Sequence, residues 1–308
     1  MFARAASWYR AAMRVGVIGL GNIGGAIAAN LLADGHRVSG YDVEAARTRA
    51  LAQAGGVAAG SAAEVARHSD VTFTALPTPA VMEAVAAAWL EGAAPGAILV
   101  DLSTNAPATV RAVGARVAAR GCHLLEAPLT GGAPGARARM LVFMVGGEPA
   151  IYQRVKPLLD RLGRATFHVG PLGLGSTAKL VNSVIAFAGA WCSLEAFAVA
   201  AKAGIALRTM VEVVRAGGAG NYFTDRMVEG IDERGRPTQF ALALAAKDAG
   251  LLLDVAQSLG VPVPAATAVA GALAAAVAAG LGGRDFTDLV ELIERQAAVT
   301  LRLGSPPG

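Results

Sequence analysis

The stretch that decides the fold is Val15-Gly16-Val17-Ile18-Gly19-Leu20-Gly21-Asn22-Ile23-Gly24, in which the spacing GxGxxG lies within and directly after a strand-like apolar run. In this pattern the first glycine makes a tight turn after a strand, the second lets a pyrophosphate approach the backbone, and the third lets helix and strand pack closely. The N-terminus of the following helix offers N–H groups to phosphates. The pattern therefore predicts a dinucleotide site formed by Gly19, Leu20, Gly21, Asn22, Ile23 and Gly24.

An acidic residue supports this prediction. Asp42 lies at the end of the second predicted strand, 18 residues after Gly24. A carboxylate at this point accepts hydrogen bonds from the adenosine ribose hydroxyls and repels a 2′-phosphate, and the next residue is Val43 rather than an arginine. We therefore expect NAD as the cofactor, with NADP disfavoured. The alternative interpretation is a glycine-rich turn with a capping aspartate.

Around this stretch, short runs of Val, Ile and Leu alternate with Ala-rich stretches of helical length from Arg14 to Val145. This alternation is typical of a parallel sheet covered by helices, and the continuous apolar character of the runs indicates strands buried on both faces. The predicted strands are 14–18, 37–41, 71–76, 97–101, 122–125 and 140–145.

Beyond His168 the pattern becomes helical. No proline interrupts residues 176–203, which predicts a helix of roughly 40 Å, and further helices are expected at 207–216, 221–234, 239–259, 264–280 and 285–300. The predicted fold is an α/β Rossmann-type N-terminal domain plus an all-α C-terminal domain, joined by a long interdomain helix. The expected divisions are a loose extension at 1–12, an NAD-binding domain at 13–175, a helical substrate and oligomerisation domain at 176–300 and a tail at 301–308.

The composition narrows the class of protein. With 308 residues and 54% apolar side chains the chain can bury a large core, and its net charge of +4 is spread without a basic run, so we expect no nucleic-acid partner. Cys122 and Cys192 are too far apart for a metal motif, which predicts no metal and a reduced, cytoplasmic setting. The uncharged stretch between Asp254 and Arg284 contains two prolines, so we expect no membrane span.

A second motif joins Asp101-Leu102-Ser103-Thr104 to the later run Ala127-Pro128-Leu129-Thr130-Gly131-Gly132-Ala133-Pro134-Gly135-Ala136. Two glycines behind a hydroxyl leave backbone N–H groups unobstructed, which suits a carboxylate. The alternative interpretation is a turn between two strands.

A third motif is Gly173-Leu174-Gly175-Ser176-Thr177-Ala178-Lys179-Leu180-Val181-Asn182. Lys179 lies near the start of an apolar helix, and Asn182 and Ser183 share its face. Burial lowers the pKa of a lysine, so such a group serves as a proton donor or acceptor near neutral pH. The alternative is a lysine at a helix start that extends its ammonium to solvent.

Together with Phe240 followed at +7 by Lys247-Asp248, these motifs resemble the β-hydroxyacid dehydrogenases, which include 3-hydroxyisobutyrate dehydrogenase and tartronate semialdehyde reductase. The resemblance covers Met13 to about Gln296. Where the family usually has Ser this chain has Thr130, and where many members have Asn or Gln it has Ser183. Arg139-Met140 replaces a common Gly-Thr, and we interpret Arg137 and Arg139 as solvated surface residues.

The resemblance implies roles for these residues. Lys179 would be the general acid and base, assisted by Asn182. The implied substrate-binding residues are Ser103, Thr130, Gly131, Gly132, Ser183 and Phe240. The implied cofactor residues, besides the glycine-rich loop and Asp42, are Leu76, Pro77, Thr104 and Lys247.

The expected activity is an NAD-dependent interconversion of a small 3-hydroxy acid and its semialdehyde or ketoacid. The expected partners are a small carboxylate-bearing hydroxy acid or semialdehyde and further copies of the chain, as a homodimer or homotetramer. Two alternatives stay open: an imine reductase-like enzyme and a non-catalytic NAD-binding protein of the same fold.

Overall fold

The computed structural model describes residues 13–303. Its chain divides into two compact units, of which the first ends at Lys179 and the second begins at Leu180. The extension predicted at 1–12 and residues 304–308 of the predicted tail lie outside the described residues.

The first unit alternates strands with helices. Its strands are β1 (Arg14–Ile18), β2 (Arg37–Tyr41), β3 (Val57–Ala58), β4 (Val71–Thr74), β5 (Ile98–Asp101), β6 (His123–Glu126), β7 (Leu129–Thr130), β8 (Leu141–Gly146) and β9 (Gly163–Gly170). Its helices are α1 (Asn22–Ala33), α2 (Ala45–Gln53), α3 (Ala62–Arg67), α4 (Pro79–Leu90), α5 (Pro107–Ala118), α6 (Gly132–Arg137) and α7 (Pro149–Leu162). All six predicted strands are present, each within two residues of its expected ends.

These strands form one sheet in the order β3-β2-β1-β4-β5-β6-β8-β7, with β9 beside β8. From β3 to β6 every pair is parallel, as the buried apolar runs predict. The prediction of a parallel sheet is wrong for β8, which runs antiparallel to β6 and β7. Residues 131–140 alone join β7 to β8, which is shorter than the connection of about a dozen residues or more that a parallel neighbour of β7 requires.

Strand β9 and the two-residue strands β3 and β7 were not among the predicted strands. β9 pairs with β8 alone, and Phe167 within it is 55% exposed. Because this edge strand faces solvent, it lacks the continuous apolar run by which the inner strands are recognised.

The sheet is covered on both faces. Ile98 and Val100 pack in one apolar cluster with residues of α1 and α7. Leu99, between them in sequence, points to the other face and packs with residues of α4 and α5, including Trp89. This alternation along β5 shows why three consecutive residues of the strand are apolar.

The second unit is helical. The helix α8 (Leu174–Lys202) begins in the first unit and continues into the second, where α9 (Leu207–Ala216), α10 (Tyr222–Asp232), α11 (Leu242–Ser258), α12 (Pro264–Ala276) and α13 (Val290–Ala297) follow. The predicted helix 285–300 is instead a 3₁₀ helix, Phe286–Leu289, followed by α13. It ends where Ala298 adopts a φ of +46°.

Two helices in the described part are long and apolar enough to cross a membrane, judged by length and composition alone. Leu174–Lys202 has a mean hydropathy of 1.8 in its most apolar window, half of which is buried, and Pro264–Leu281 has 1.7 with 28% buried. Core helices of soluble proteins meet the same criterion, so two such helices are weak evidence for a membrane span.

Candidate active site

The glycine-rich loop adopts the geometry that its spacing predicts. Gly19 has a φ of +85°, which favours glycine, and a Cβ at Gly24 would overlap the carbonyl oxygen of Gly19. At Gly21, the N-cap of α1, the nearest atom to an added Cβ is Nη1 of Arg47 at 3.6 Å. The loop thus combines a tight turn, close helix packing and an accessible helix N-terminus, which fits a dinucleotide pyrophosphate.

The other loop residues differ in exposure. Leu20 is buried in the core beside α1, Ile23 packs against the same core, and Asn22 is exposed at the first turn of α1. Because Leu20 is buried, we expect its backbone rather than its side chain to face a cofactor.

Asp42 is buried and joins the end of β2 to this loop. One carboxylate oxygen, Oδ2, accepts a hydrogen bond from the backbone N–H of Leu20 at 2.7 Å, and Oδ1 accepts one from the N–H of Glu44 at 2.8 Å. Asp42 therefore fixes the loop as well as placing a negative charge beside it.

Arg47 was not found by the sequence analysis, which examined only the residue after Asp42. Its Nη1 lies 3.4 Å from Oδ2 of Asp42 and its Nη2 lies 2.7 Å from Oε1 of Glu44. It projects from the first turn of α2 toward Gly21. A cation in this position opposes the discrimination against a 2′-phosphate that Asp42 provides. A basic residue in the first turn of the helix that follows β2 is the sequence signal that could have revealed Arg47.

At the end of β5, the carboxylate of Asp101 organises the neighbouring loop. Thr74 Oγ1 donates to Asp101 Oδ1 at 2.8 Å, Ser103 Oγ donates to the same oxygen at 2.7 Å, and Asn105 Nδ2 donates to Oδ2 at 2.7 Å. The Ser103 hydroxyl in turn accepts from the N–H of Leu76 at 2.8 Å. The Ser103 hydroxyl therefore joins the Asp101 carboxylate to the loop after β4.

The burial of Asp101 raises its pKa, an effect that the hydrogen bonds from Ser103, Thr74 and Asn105 oppose. Around it, Thr104 is half-buried and Pro77 is exposed. The roles predicted for Ser103, Thr104, Leu76 and Pro77 stay predictions, and the structure adds that Ser103 and Leu76 are linked.

The predicted carboxylate loop follows β7. Thr130 is half-buried, and Gly131 and Gly132 have φ values of +116° and +59°. These left-handed conformations are the physical reason for two successive glycines at the start of α6. Asn30 Nδ2 donates to the carbonyl oxygen of Ala136 at 2.8 Å, which ties α6 to α1.

Arg139 is not the solvated surface residue that we expected. Its Nη1 lies 2.8 Å from Asp34 Oδ2, and its Nη2 donates to the carbonyl oxygen of Asn30 at 3.1 Å. Arg161 Nε also contacts Asp34, at 3.0 Å. Arg139 therefore links the end of α1 to the turn before β8, a long-range contact that sequence spacing does not reveal.

Glu126, also not found by the sequence analysis, ends β6 and is fully buried. Its carboxylate accepts hydrogen bonds at the start of α8 from the N–H groups of Gly173, Gly175 and Ser176 and from the Ser176 hydroxyl. Lys179 lies three residues after Ser176 on the same helix, and is half-buried. A signal was available: an acidic residue ends the apolar run of β6, as Asp101 ends that of β5.

In the second unit, α8 places the two polar residues after Lys179 differently. Asn182 is exposed, whereas Ser183 is buried. Among the described residues, the Ser183 hydroxyl oxygen has no hydrogen-bond partner. A buried orphan hydroxyl is unusual and marks a position where a ligand group would be favourable.

Phe240 and Lys247 belong to the second unit. The Phe240 ring lies 6.2 Å from the rings of Phe187 and Phe286, and Asp285 Oδ2 accepts from its backbone N–H at 3.2 Å. Lys247 Nζ lies 3.1 Å from Oδ1 of the buried Asp248. Their predicted roles stay predictions.

In the described part of the first unit, a cavity of about 500 Å³ lies beside the loop after β8. Arg111, Gly147 and His168 are among the residues that line it. None of the predicted site residues lines it. Within residues 13–303 there is no group of three or more His, Cys, Asp or Glu side chains that could hold a metal ion.

Comparison with known proteins matches both halves of the chain. Residues 14–170 match the NAD-binding domain of 6-phosphogluconate dehydrogenase, and residues 173–293 match the NAD-binding domain of NADP-dependent 3-hydroxyisobutyrate dehydrogenase. The mitochondrial 3-hydroxyisobutyrate dehydrogenase of Drosophila melanogaster is 30% identical over 95% of this chain and 93% of its own length. The 3-hydroxyisobutyrate dehydrogenase of Pseudomonas aeruginosa is 35% identical over 81% of this chain and 87% of its own length.

Solved structures agree with this assignment. The Mycobacterium tuberculosis 3-hydroxyisobutyrate dehydrogenase with L-serine has a TM-score of 0.84 at 30% identity, covering 91% of this chain and 99% of that one. An imine reductase of Streptomyces aurantiacus is more distant, with a TM-score of 0.63 at 25% identity over 91% of this chain and 99% of that one. With both halves matched in sequence and in fold, the chain belongs to the β-hydroxyacid dehydrogenase family, whose members are oxidoreductases that act on CH–OH groups with a nicotinamide cofactor.

Proposed function

We propose that the chain is an NAD-dependent enzyme interconverting a small 3-hydroxy acid and its semialdehyde or ketoacid, with Lys179 as general acid and base. The observation that carries the proposal is the position of Lys179. It is a half-buried lysine near the start of α8, in the same compact unit as the glycine-rich loop and the Thr130-Gly131-Gly132 turn.

The substrate carboxylate would bind at Thr130, Gly131 and Gly132. Successive N–H groups in a turn form a concave anion site, and the left-handed φ values of both glycines support such a turn here. The half-buried Thr130 hydroxyl would add a third donor. This arrangement would orient the rest of the substrate relative to the turn.

Lys179 would handle the proton at the substrate oxygen. In oxidation its amine takes the proton from the substrate hydroxyl, and in reduction its ammonium returns a proton to the carbonyl oxygen. Asn182 and Ser183, three and four residues further along α8, would orient that oxygen, and the orphan hydroxyl of Ser183 supports this role. When bound, the nicotinamide ring supplies the hydride chemistry at its C4 carbon.

The names of relatives narrow the substrate class. They include 3-hydroxyisobutyrate, L-serine and 2-(hydroxymethyl)glutarate dehydrogenases. These three acids share a hydroxymethyl group on the carbon next to a carboxylate. We therefore propose an acid with that arrangement as the substrate.

The proposed cofactor is NAD, because the buried carboxylate of Asp42 lies at the glycine-rich loop. Relatives differ in this property: an L-serine dehydrogenase of Pseudomonas aeruginosa is named as NAD-dependent, whereas a solved structure at 25% identity holds NADP+. The guanidinium of Arg47, beside Asp42, would let the enzyme also accept NADP, but less readily than NAD.

The proposed test compares Lys179→Ala with Lys202→Ala, a lysine at the other end of the same helix. We expect Lys179→Ala to lower kcat by about 10²- to 10⁴-fold, the contribution of a positioned acid or base, and to bind NADH with unchanged affinity. Lys202→Ala keeps wild-type kcat. Turnover retained in Lys179→Ala would overturn the role of the lysine.

A substrate panel separates this proposal from its alternatives. The wild-type enzyme is assayed with NAD and NADP on hydroxymethyl acids of about three to six carbons, and with NADH and NADPH on cyclic imines. Reduction of imines without oxidation of any acid would support an imine reductase, and cofactor binding without turnover would support a non-catalytic protein.

We also propose that the chain assembles as a homodimer or homotetramer. In the second unit, Ile185 and Val199 on α8 are 69% and 71% exposed. Most of the Pro264–Leu281 helix also stays outside the core. Exposed apolar faces of this extent are favourable when another copy covers them.

A further inference from the structure

We propose that Glu126 is a positioning residue that fixes the start of α8 and thereby places Lys179 for proton transfer. This inference rests on the proposed role of Lys179. It assigns a task to a buried carboxylate that neither binds substrate nor moves a proton.

The contacts of Glu126 carry the argument. The side chain is fully buried, and both carboxylate oxygens are used: Oε1 accepts from the N–H groups of Gly173 and Gly175, and Oε2 accepts from the N–H and hydroxyl of Ser176. The first N–H groups of a helix have no partner within the helix. Glu126 therefore supplies partners for the start of a 29-residue helix from the end of β6, a strand of the central sheet.

The charge of Glu126 suits this position. A long helix carries a partial positive charge at its N-terminus, and a buried carboxylate there is stabilised by that charge and by its four donors. Loss of the carboxylate would leave buried donors without an acceptor, which is costly. The contact therefore favours one position of the helix start.

The packing around Glu126 explains Gly175 of the third motif and Gly146 at the end of β8. A Cβ at Gly175 would lie 2.6 Å from the carbonyl oxygen of Met144 and 2.9 Å from Cγ of Glu126. A Cβ at Gly146 would overlap Oε1 of Glu126. Glycine at both positions lets α8 approach the sheet closely enough for the carboxylate to reach its first turn.

This geometry determines where Lys179 lies. Ser176 is bonded to Glu126, and Lys179 follows three residues later, about one turn or 4.5 Å along the helix axis. Because an α-helix is stiff over one turn, fixing the position of its first turn also fixes the position of the next. Since misplacement of a reacting group by about 1 Å can lower a rate by about 10²-fold, the anchor matters for kcat.

The test uses two disruptive substitutions at Glu126 and Ser176, together with one conservative substitution at Glu126. Ser176→Ala removes one of the four bonds and is expected to lower kcat by about 10-fold. Glu126→Gln replaces one acceptor oxygen with an NH₂ group, which cannot accept from the N–H and O–H donors at the start of α8. We expect it to lower kcat by about 100-fold. In both variants KM and the affinity for NADH stay within twofold of wild type. Glu126→Asp keeps the charge and both acceptors, and recovers most of the activity lost in Glu126→Gln.

Ser61→Ala is the matched control. Ser61 caps α3 by accepting from the N–H of Glu64 at 3.1 Å, so its loss removes a comparable bond at a helix start that does not carry Lys179. We expect it to leave kcat unchanged. Hydrogen exchange of the peptide covering residues 173–182 should accelerate in Ser176→Ala and Glu126→Gln and stay as in wild type in Ser61→Ala.

A double-mutant cycle separates positioning of Lys179 from general loss of structure. In the Lys179→Ala background, Ser176→Ala should cause no further decrease in kcat, because the group that it positions is absent. If the two effects multiply, or if exchange in residues 173–182 is unchanged, the inference is wrong. If Lys179→Ala itself retains turnover, the proposed function fails first and the role of Glu126 fails with it.

Discussion

The backbone N–H of Leu20 donates to Oδ2 of Asp42 at 2.7 Å, so the residue expected to select the cofactor also holds the glycine-rich loop in place. Arg47 Nη1 lies 3.4 Å from the same oxygen. We expect this carboxylate and this guanidinium to face the adenosine ribose of a bound cofactor. We therefore propose Asp42 and Arg47 as a joint determinant of cofactor choice.

Replacement of Arg47 should strengthen the preference for NAD. We expect Arg47→Ala to lower kcat/KM with NADP by about 10-fold, because a 2′-phosphate would lose the guanidinium beside Asp42, and to leave kcat/KM with NAD within about twofold. Steady-state kinetics with both cofactors measures the ratio. Glu44→Gln, which removes the second partner of Arg47 at 2.7 Å, is the control and should not lower the use of NADP. An unchanged ratio in Arg47→Ala would contradict the assignment.

Ser103→Ala should destabilise the first unit and loosen the loop after β4. The substitution leaves the N–H of Leu76 and one oxygen of the buried Asp101 without the Ser103 hydroxyl. We expect a loss of about 1–3 kcal/mol in the free energy of unfolding, measured by urea denaturation, together with weaker NADH binding. Thr78→Ala, which removes an exposed helix cap in the same loop region, should cost less than Ser103→Ala. Equal costs would show that the buried network contributes little.

The stability of the first unit should fall at acidic pH in part through Asp34. Hydrogen bonds from Arg139, with a further contribution from Arg161, lower the pKa of Asp34 to about 2. The contacts of ionised Asp34 therefore stabilise the folded state fully above the ordinary carboxyl pKa of about 3.9. This stabilisation is lost as the pH falls toward 2. Because both arginines are partly exposed, we expect about 1–2 kcal/mol from this effect.

Asp34→Asn removes this component. Urea denaturation at pH 7 and pH 3 should show a smaller loss of stability on acidification in Asp34→Asn than in the wild type. The same pH dependence in both proteins would exclude Asp34 as a source of it.

Arg139 combines a favourable ion pair with an unfavourable backbone conformation. Its φ of +59° is left-handed, which costs a non-glycine residue about 1 kcal/mol. Arg139→Gly and Arg139→Ala both lose the contact with Asp34, but only the glycine relieves the backbone. We expect Arg139→Gly to be the more stable of the two by about 1 kcal/mol, as measured by thermal denaturation. The reverse order would rule out backbone strain at this position.

The oligomeric state should depend on the apolar face of α8. Light scattering after size-exclusion chromatography should show a dimer or tetramer for the wild type. Val199 is 71% exposed, so Val199→Lys should weaken assembly, whereas Glu91→Lys, at an exposed position at the end of α4 in the first unit, should not. A monomeric wild type would contradict the proposed assembly.

The inner strands and the glycine-rich loop could be predicted from the sequence because their determinants are local. A strand buried on both faces favours consecutive apolar residues, as in Ile98-Leu99-Val100 of β5, and a positive φ at Gly19 with no space at Gly24 requires glycine at both positions. The position of Lys179 on a helix follows equally from the local pattern. The edge strand β9 did not follow, because a half-exposed strand carries no such pattern.

The amino-acid sequence by itself determined the family, the order of the six predicted strands and the class of cofactor, since each depends on motifs whose residues are close together in the chain. Only the tertiary structure decided which distant groups meet: Glu126 with the start of α8, and Arg139 with Asp34. The physical reason is that a buried or partly buried charge is stable only beside specific partners. Those partners are brought together by the packing of the sheet and its helices, which no local spacing records.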